Sequence, residues 1–196
     1  MTDLDRRLRA EIRAARFESV FRNAYPRVLA YALRRTDDRH GAEEVAAETF
    51  LIAWRRLDDV PADSVPWLLG TARKVLANQR RSARRRDGGL HAPLDAAERA
   101  VDPTTSTADL VADREAFATA FAALEERDRE VLALTAWEGL EPREAAVVMD
   151  CTATAFSVRL HRARRRLMKE LRASGHSLGD EHRNPGQPQA GAAEAR

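Results

Sequence analysis

The sequence predicts an all-α fold, built as two small helical domains joined by a flexible linker. Three observations predict it. Hydrophobic residues make up 44% of the chain, but much of that share is alanine, with only two Tyr and nine Gly, a balance that favours helices over a sheet. Apolar residues recur at three-and-four spacing through most of the sequence. That periodicity then fails over one internal stretch, so the core-forming segments fall into two groups, each of a length that encloses a small core of its own.

The elements follow in order. Phe17, Val20, Phe21, Ala24, Val28, Leu29, Ala32 and Leu33 lie on one face of a helix over 17–33, which Pro26 is expected to kink or divide. A turn at 37–41 leads into a helix over 42–57. After a polar loop, Ser64 is placed to cap a helix that runs to about 86, with Pro66 in its tolerant first turn. Residues 14–86 form the first domain. Gly88, Gly89, Pro93, Pro103 and the run of Thr and Ser at 104–107 end the periodicity, which assigns 87–111 to the linker. Helix resumes near Ala112 and passes Phe117, Phe121 and Leu124, followed by a segment holding Val131, Leu132 and Leu134. A short helix over 142–149 and a turn at Asp150, Cys151 and Thr152 lead into a long helix ending near 172, which completes a second domain over 112–173. The stretch 174–196 is rich in Gly, Pro, Gln and Ala and has no core-forming pattern, so a disordered tail is expected.

Net charge identifies no partner: 33 Lys and Arg oppose 31 Asp and Glu. The distribution is more informative. Residues 73–86 hold seven basic side chains and no acid, and residues 159–172 hold seven against the single Glu170. Cys151, the only cysteine, excludes an internal disulfide and a cysteine-rich zinc site and suits a reducing cytoplasm. No apolar run approaches the ~20 residues of a membrane span, and the opening residues are charged instead of signal-like. The expectation is a cytoplasmic protein without membrane insertion, metal or cofactor.

On the helix over 42–57, Val45, Thr49, Phe50, Ile52, Ala53, Trp54 and Leu57 share the broad side expected to be core. Glu44, Glu48, Leu51 and Arg55 lie opposite, two carboxylates beside an exposed leucine, which is a surface suited to a partner. Taken alone it is equally a solvated helix face with one stray apolar residue. On the next helix Leu68, Leu69, Ala72, Val75, Leu76 and Ala83 form the apolar arc, while Arg73, Lys74, Arg80, Arg81 and Arg84 gather on the other side. Five long cations on one rod repel one another until a polyanion neutralises them, and phosphates with counterion release do so. That arc provides no exposed aromatic anchor for a membrane surface.

The helix, short turn and second helix over 140–173 match a helix-turn-helix. Phe156, Leu160, Ala163, Leu167 and Leu171 form a narrow packing stripe on its second helix. Recognition helices read base edges through their first turns and hold phosphates farther along. Thr154, Ser157, Val158 and His161 are therefore assigned to bases, and Arg159, Arg162, Arg165 and Arg166 to the DNA backbone.

With these residues in view, AEEVAAETFLIAW at 42–54, PWLLGTARKVLANQRR at 66–81 and LEERDREVLALTAWEGLEPREAAVVMDCTATAFSVRLHRARRRL at 124–167 resemble the blocks of extracytoplasmic-function sigma factors of the sigma-70 family. RLHRARRRL after a helix-turn-helix is fairly specific, and the order of all three blocks is more so. The resemblance implies a sigma region 2 domain at 14–86 that binds the β′ clamp helices of core RNA polymerase through Glu44, Glu48 and Leu51, and the minus-ten promoter element through the basic helix. It implies a region 4 domain at 112–173 that binds the minus-thirty-five element and the β-flap. The loop over 57–65 would trap a base flipped out of the non-template strand, and an anti-sigma factor is a partner the family admits. The chain departs from the family pattern at Ala47, where glutamine is frequent, and at Lys74 and Asn78, which make the basic helix more basic. Asp150 stands at a usual glycine turn position and tolerates left-handed backbone better than most residues. Val158 replaces a frequent serine, shifting base contact toward a thymine methyl.

Two other functions fit the sequence less well. A conventional regulator with a sensor domain and an operator-binding domain has no use for the second cationic helix at 73–86. A nucleic-acid enzyme lacks support, because no His and carboxylate cluster has metal-ligand spacing and no Gly-rich phosphate loop occurs. Glu43, Glu44 and Glu48 read better as a partner-binding face than as catalytic acids. No catalytic residue is assigned.

Overall fold

The computed structural model describes residues 3–86 and 108–173. Among the described residues there are seven α-helices and no strand: α1 (Asp3–Leu33), α2 (Arg39–Arg55), α3 (Ser64–Arg86), α4 (Ala108–Ala122), α5 (Glu126–Ala136), α6 (Pro142–Val148) and α7 (Ala153–Ala173), with a 3-10 turn at Leu57–Asp59. The linker core at 87–107 and the tail at 174–196 expected from the sequence lie outside the described residues.

Helix α1 starts at Asp3, well before the apolar pattern begins, and continues through Pro26 without dividing. Pro26 is exposed, so the Arg22 carbonyl that loses its helical partner still meets solvent. The added N-terminal turns carry Leu4, Leu8 and Ile12, which are 75%, 55% and 62% exposed. Their helicity rests on local propensity instead of burial, and a core-based reading of the sequence therefore missed them. Helix α2 begins three residues earlier than the apolar pattern suggested, at Arg39, because the Asp38 side chain accepts from the Gly41 amide at 2.7 Å and caps it. Ser64, expected as the cap of α3, is instead its first helical residue and is buried. Helix α4 starts at Ala108, inside the stretch assigned to the linker.

In the first unit, α1, α2 and α3 bury Val28, Tyr31, Val45, Phe50, Leu68 and Leu69. Phe17, Phe21, Tyr25 and Phe50 pack ring against ring, with Phe21 and Phe50 centroids 4.8 Å apart in an edge-to-face pair. Trp54, expected in the core, is 39% exposed. It caps the edge of this cluster, 5.1 Å from Phe17, with Arg13 lying over its other side. In the second unit, Phe121, Val131, Leu134, Val148 and Phe156 are fully buried. Arg129 ties the end of α4 to α5 by donating to the carbonyls of Ala122 and Leu124 at 2.9 and 2.6 Å.

The sequence suggested two bodies connected only by a linker, whereas the structure docks them. Their buried apolar residues form one contiguous cluster. Helix α3 lies so close to α6 that a Cβ added at Gly70 would sit 3.5 Å from the Val148 Cα and 3.6 Å from the Val147 carbonyl oxygen. That is ordinary van der Waals range, so the site holds a Cβ and little more.

Candidate nucleic-acid interface

Helix α7 carries the clearest reading surface. Pro142 and the Glu144 carboxylate, which accepts from the Glu141 amide at 2.7 Å, start α6. Asp150 then turns the chain with φ 52°, the left-handed geometry for which Asp is a tolerable substitute for glycine. Thr152 caps α7, its hydroxyl accepting from the Ala155 amide at 3.2 Å. Phe156, Leu160, Ala163 and Leu171 are buried and Leu167 is half-buried, so the predicted packing stripe is the observed one.

This places Thr154, Ser157, Val158 and His161 outward on the first turns, with Val158 45% exposed. Arg162 and Arg165 are exposed beyond them. Two assigned cations are placed differently. Arg159 is only half-exposed, and its Nη1 is buried without a partner. Arg166 is held by the Asp128 carboxylate at the start of α5, so it fixes α7 against α5 in this state instead of standing free for phosphate.

The basic helix α3 differs more. Lys74 and Arg81 are exposed, but Lys74 lies 3.8 Å from the Asp150 carboxylate. Arg80 is half-buried, paired with Glu126 and donating to the Arg35 carbonyl at 3.2 Å. Arg73 and Arg80 line a cleft of about 320 Å³ between the two units, together with Tyr31, Glu126, Arg127 and Trp137. The Arg84 side chain lies outside the described residues. The single free cationic face expected from the sequence is therefore split: Lys74 and Arg80 already meet carboxylates of the second unit.

On α2 the predicted partner face is open. Glu44 and Glu48 are exposed, Leu51 is 47% exposed, and the Glu44 carboxylate meets His40 at 3.3 Å. The loop after α2 is braced from α1, where Arg16 donates to the Val60 carbonyl at 2.7 Å and Arg13 reaches Asp58 at 3.4 Å.

Sequence reasoning missed the group at the contact of the two units. Arg35, 5% exposed, donates from Nε to Glu130 at 2.9 Å and from Nη1 to Glu138 at 3.0 Å. Arg34 reaches the same Glu138 carboxylate at 2.5 Å, Arg27 donates to the Glu138 carbonyl at 2.8 Å, and the Tyr31 hydroxyl donates to Glu130 at 2.8 Å. The Arg35 guanidinium also stacks on the Tyr31 ring at 3.5 Å. Burial pushes the Glu130 carboxyl up, but Arg35 beside it and the bonds from Arg35 and Tyr31 outweigh burial and hold it below the ordinary glutamate range. Burial, reinforced by the Glu130 charge, pushes the Tyr31 hydroxyl well up. The one available signal was the ArgArg pair closing α1, where cations suit the helix end; nothing marked Glu130 and Glu138 as its partners.

Two helical units, one presenting a helix-turn-helix and the other a basic helix and an exposed acidic helix face, define a promoter-reading transcription protein. Family models agree: sigma-70 region 2 matches residues 20–86 and sigma-70 region 4 matches residues 114–167. The chain is 32% identical over 151 residues to the ECF RNA polymerase sigma factor SigL of Mycobacterium tuberculosis, covering 74% of this chain and 82% of that one. It is 34% identical over 149 residues to a probable RNA polymerase sigma factor, RfaY, of Xanthomonas campestris, of whose length the match spans only 37%. The fold resembles that of the sigma factor RpoE of Bartonella quintana, solved with the anti-sigma factor NepR, with a TM-score of 0.59 at 24% identity over 80% of this chain and 96% of that one. It also resembles CnrH, solved with the cytosolic domain of CnrY, with a TM-score of 0.51 at 23% identity over 80% of this chain and 88% of that one. The chain belongs to the extracytoplasmic-function sigma factors of the sigma-70 family, which are non-enzymatic initiation subunits of RNA polymerase.

Proposed function

We propose that this sigma factor docks on the β′ clamp helices of core polymerase through Glu44, Glu48 and Leu51. It then engages the minus-ten element with Arg73, Lys74, Arg80, Arg81 and Arg84. In the second domain, Thr154, Ser157, Val158 and His161 read the bases of the minus-thirty-five element, while Arg159, Arg162, Arg165 and Arg166 hold its phosphates and the domain meets the β-flap. The observation that carries the reading is the capped helix α7, with four outward side chains on its first turns and exposed arginines beyond them. An anti-sigma factor as regulator is part of the proposal, because a sigma factor of like fold was solved with such a partner. So is action in the cytoplasm; among the described residues no helix is long and apolar enough to cross a membrane.

Reconstituted transcription on genomic DNA with core polymerase, followed by mapping of start sites, tests the reading. Start sites with a shared upstream sequence are expected, and replacing Arg80, Arg81 and Arg84 with Ala should spare polymerase binding but cut promoter opening. Unchanged initiation on adding the chain to core enzyme refutes it.

A further inference from the structure

Six guanidinium groups line the cleft of about 320 Å³ between the two units: Arg34 and Arg35 just after α1, Arg73 and Arg80 on α3, and Arg127 and Arg129 on α5. Carboxylates of the chain answer three of them, Glu138 and Glu130 holding Arg34 and Arg35, and Glu126 holding Arg80. Arg73, Arg127 and Arg129 pair with no carboxylate among the described residues. Arg129 is tied to backbone carbonyls through Nη1, which leaves its charge uncompensated. Three positive charges from two different helices thus share one cleft, and they repel one another until an anion joins them.

The rest of the lining is apolar and aromatic. Trp137 is half-buried and lies edge-to-face against the buried Phe121, with ring centroids 5.1 Å apart, so its indole is held in place while part of it stays exposed. A flat ring laid on such an indole gains stacking, as nucleic-acid bases do on aromatic side chains. Arg35 adds a further sign of a missing partner. It is 5% exposed, lines the same cleft, and keeps Nη2 without a hydrogen-bond partner, a condition that buried donors rarely tolerate. The volume falls at the lower end of the roughly 300–1,000 Å³ typical of small-molecule sites, which suits a ligand of mononucleotide size.

We propose that this cleft binds a nucleoside diphosphate, with the phosphates joining Arg73 and Arg127, Arg129 adding its charge, and the base stacked on Trp137. Such a ligand carries about three negative charges, close to two on the terminal phosphate and one on the inner phosphate. They match the three cations that the chain leaves uncompensated. Guanidinium forks suit phosphate oxygens, which they meet in pairs. A free nucleoside supplies the ring without the charge, and pyrophosphate supplies the charge without the ring; the lining has partners for both parts. Arg73 is shared with the proposed promoter contact, whereas Arg127 and Trp137 are not, so the deciding variants are made at those two.

Isothermal titration calorimetry on the full chain, without polymerase or DNA, tests the site with adenosine diphosphate, adenosine and inorganic pyrophosphate as probes. Adenosine diphosphate should bind one to one, and each of the other two at least about tenfold more weakly. Arg127→Gln, at an exposed position, should weaken adenosine diphosphate and pyrophosphate alike by about tenfold. Trp137→Leu should weaken adenosine diphosphate by about tenfold, within the range of base stacking on one aromatic side chain, and leave pyrophosphate unchanged. The double variant Arg162→Gln, Arg165→Gln removes two exposed cations of α7, which do not line the cleft, and should change neither affinity by more than about twofold. Absence of one-to-one binding at millimolar adenosine diphosphate overturns the site. So does a loss in the α7 variant as large as that in Arg127→Gln, which would mark diffuse attraction to a basic chain. Pyrophosphate binding as tightly as adenosine diphosphate, or a folded Trp137→Leu that binds both probes like wild type, overturns the base contact and with it the ligand class. Should Trp137→Leu lose its helical circular dichroism, the wild-type comparison of the two probes decides.

Discussion

Arg35 makes the most exacting prediction, because one guanidinium joins elements of both domains. In Arg35→Met the side chain keeps much of its length and its apolar packing on Tyr31 but loses the bonds to Glu130 at 2.9 Å and Glu138 at 3.0 Å. Breaking a buried ion pair by removing one partner costs ~3–5 kcal/mol, because the other charge is left uncompensated. Here the carboxylates keep some support: Glu138 retains Arg34 at 2.5 Å and Glu130 retains the Tyr31 hydroxyl at 2.8 Å. The expected loss is accordingly about 2–3 kcal/mol, a shift of roughly 30- to 150-fold. That loss falls on docking and not on folding, since both carboxylates regain water when the domains part. Labels on the two domains, read by energy transfer, should report a large drop in the docked fraction, while helical circular dichroism stays at the wild-type level. Unchanged docking, or unfolding of the first domain in place of undocking, would refute the assignment of Arg35 to the contact.

Three further outcomes are expected. Docking should depend on pH with a plateau: the lowered Glu130 pKa contributes stability that is present above the ordinary glutamate value of ~4.3 and lost as pH falls through the docked value, whereas the raised Tyr31 pKa contributes stability present below the ordinary tyrosine value of ~10 and lost as pH rises through its own; energy transfer across an acid and an alkaline titration checks both limbs. Gly139→Ala should destabilise the second domain by ~1 kcal/mol or more, because φ 63° is reached there only at a cost by a residue with a Cβ, as thermal denaturation would show. Phe156→Ala removes a fully buried ring and should cost ~3–5 kcal/mol, enough to abolish DNA binding by α7 while leaving the first domain's aromatic core folded, which near-ultraviolet circular dichroism distinguishes.

The helical class, the order of elements and the α7 stripe were legible because they depend on local period: Phe156, Leu160 and Ala163 announce a buried face wherever the helix packs. The turn before α7 was legible for the same reason, since Asp150 is intelligible from its own backbone need. The exposed face of α2 was also readable, Glu44, Glu48 and Leu51 being opposite Val45 and Phe50 on any helix. What sequence could not supply were relations between faces. Arg80 reads as one more cation on a stripe until Glu126 is found against it, and Arg166 reads as a phosphate contact until Asp128 is seen to hold it. Glu130 and Glu138 resemble ordinary helix-surface acids, and their burial follows only from the approach of α1, more than 90 residues away in sequence. Trp54 was misplaced by a similar route: the helical wheel puts it at the margin of the apolar arc, and whether a marginal ring is covered depends on α1, where Arg13 and Phe17 meet it.

The docked contact bears on how two tethered readers combine. A pair of tethered binding modules gains affinity only when the tether lets both engage at once. A fully extended chain of the length that separates Arg86 from Ala108 spans at most roughly 79 Å at ~3.3–3.6 Å per residue, so with the width of the domains added it suffices for the roughly 85 Å between promoter elements. In the docked arrangement, free chain meeting DNA offers the exposed part of α7 together with Lys74 and Arg81 of α3. Of the α3 cations, Arg80 and Lys74 meet carboxylates of their own chain.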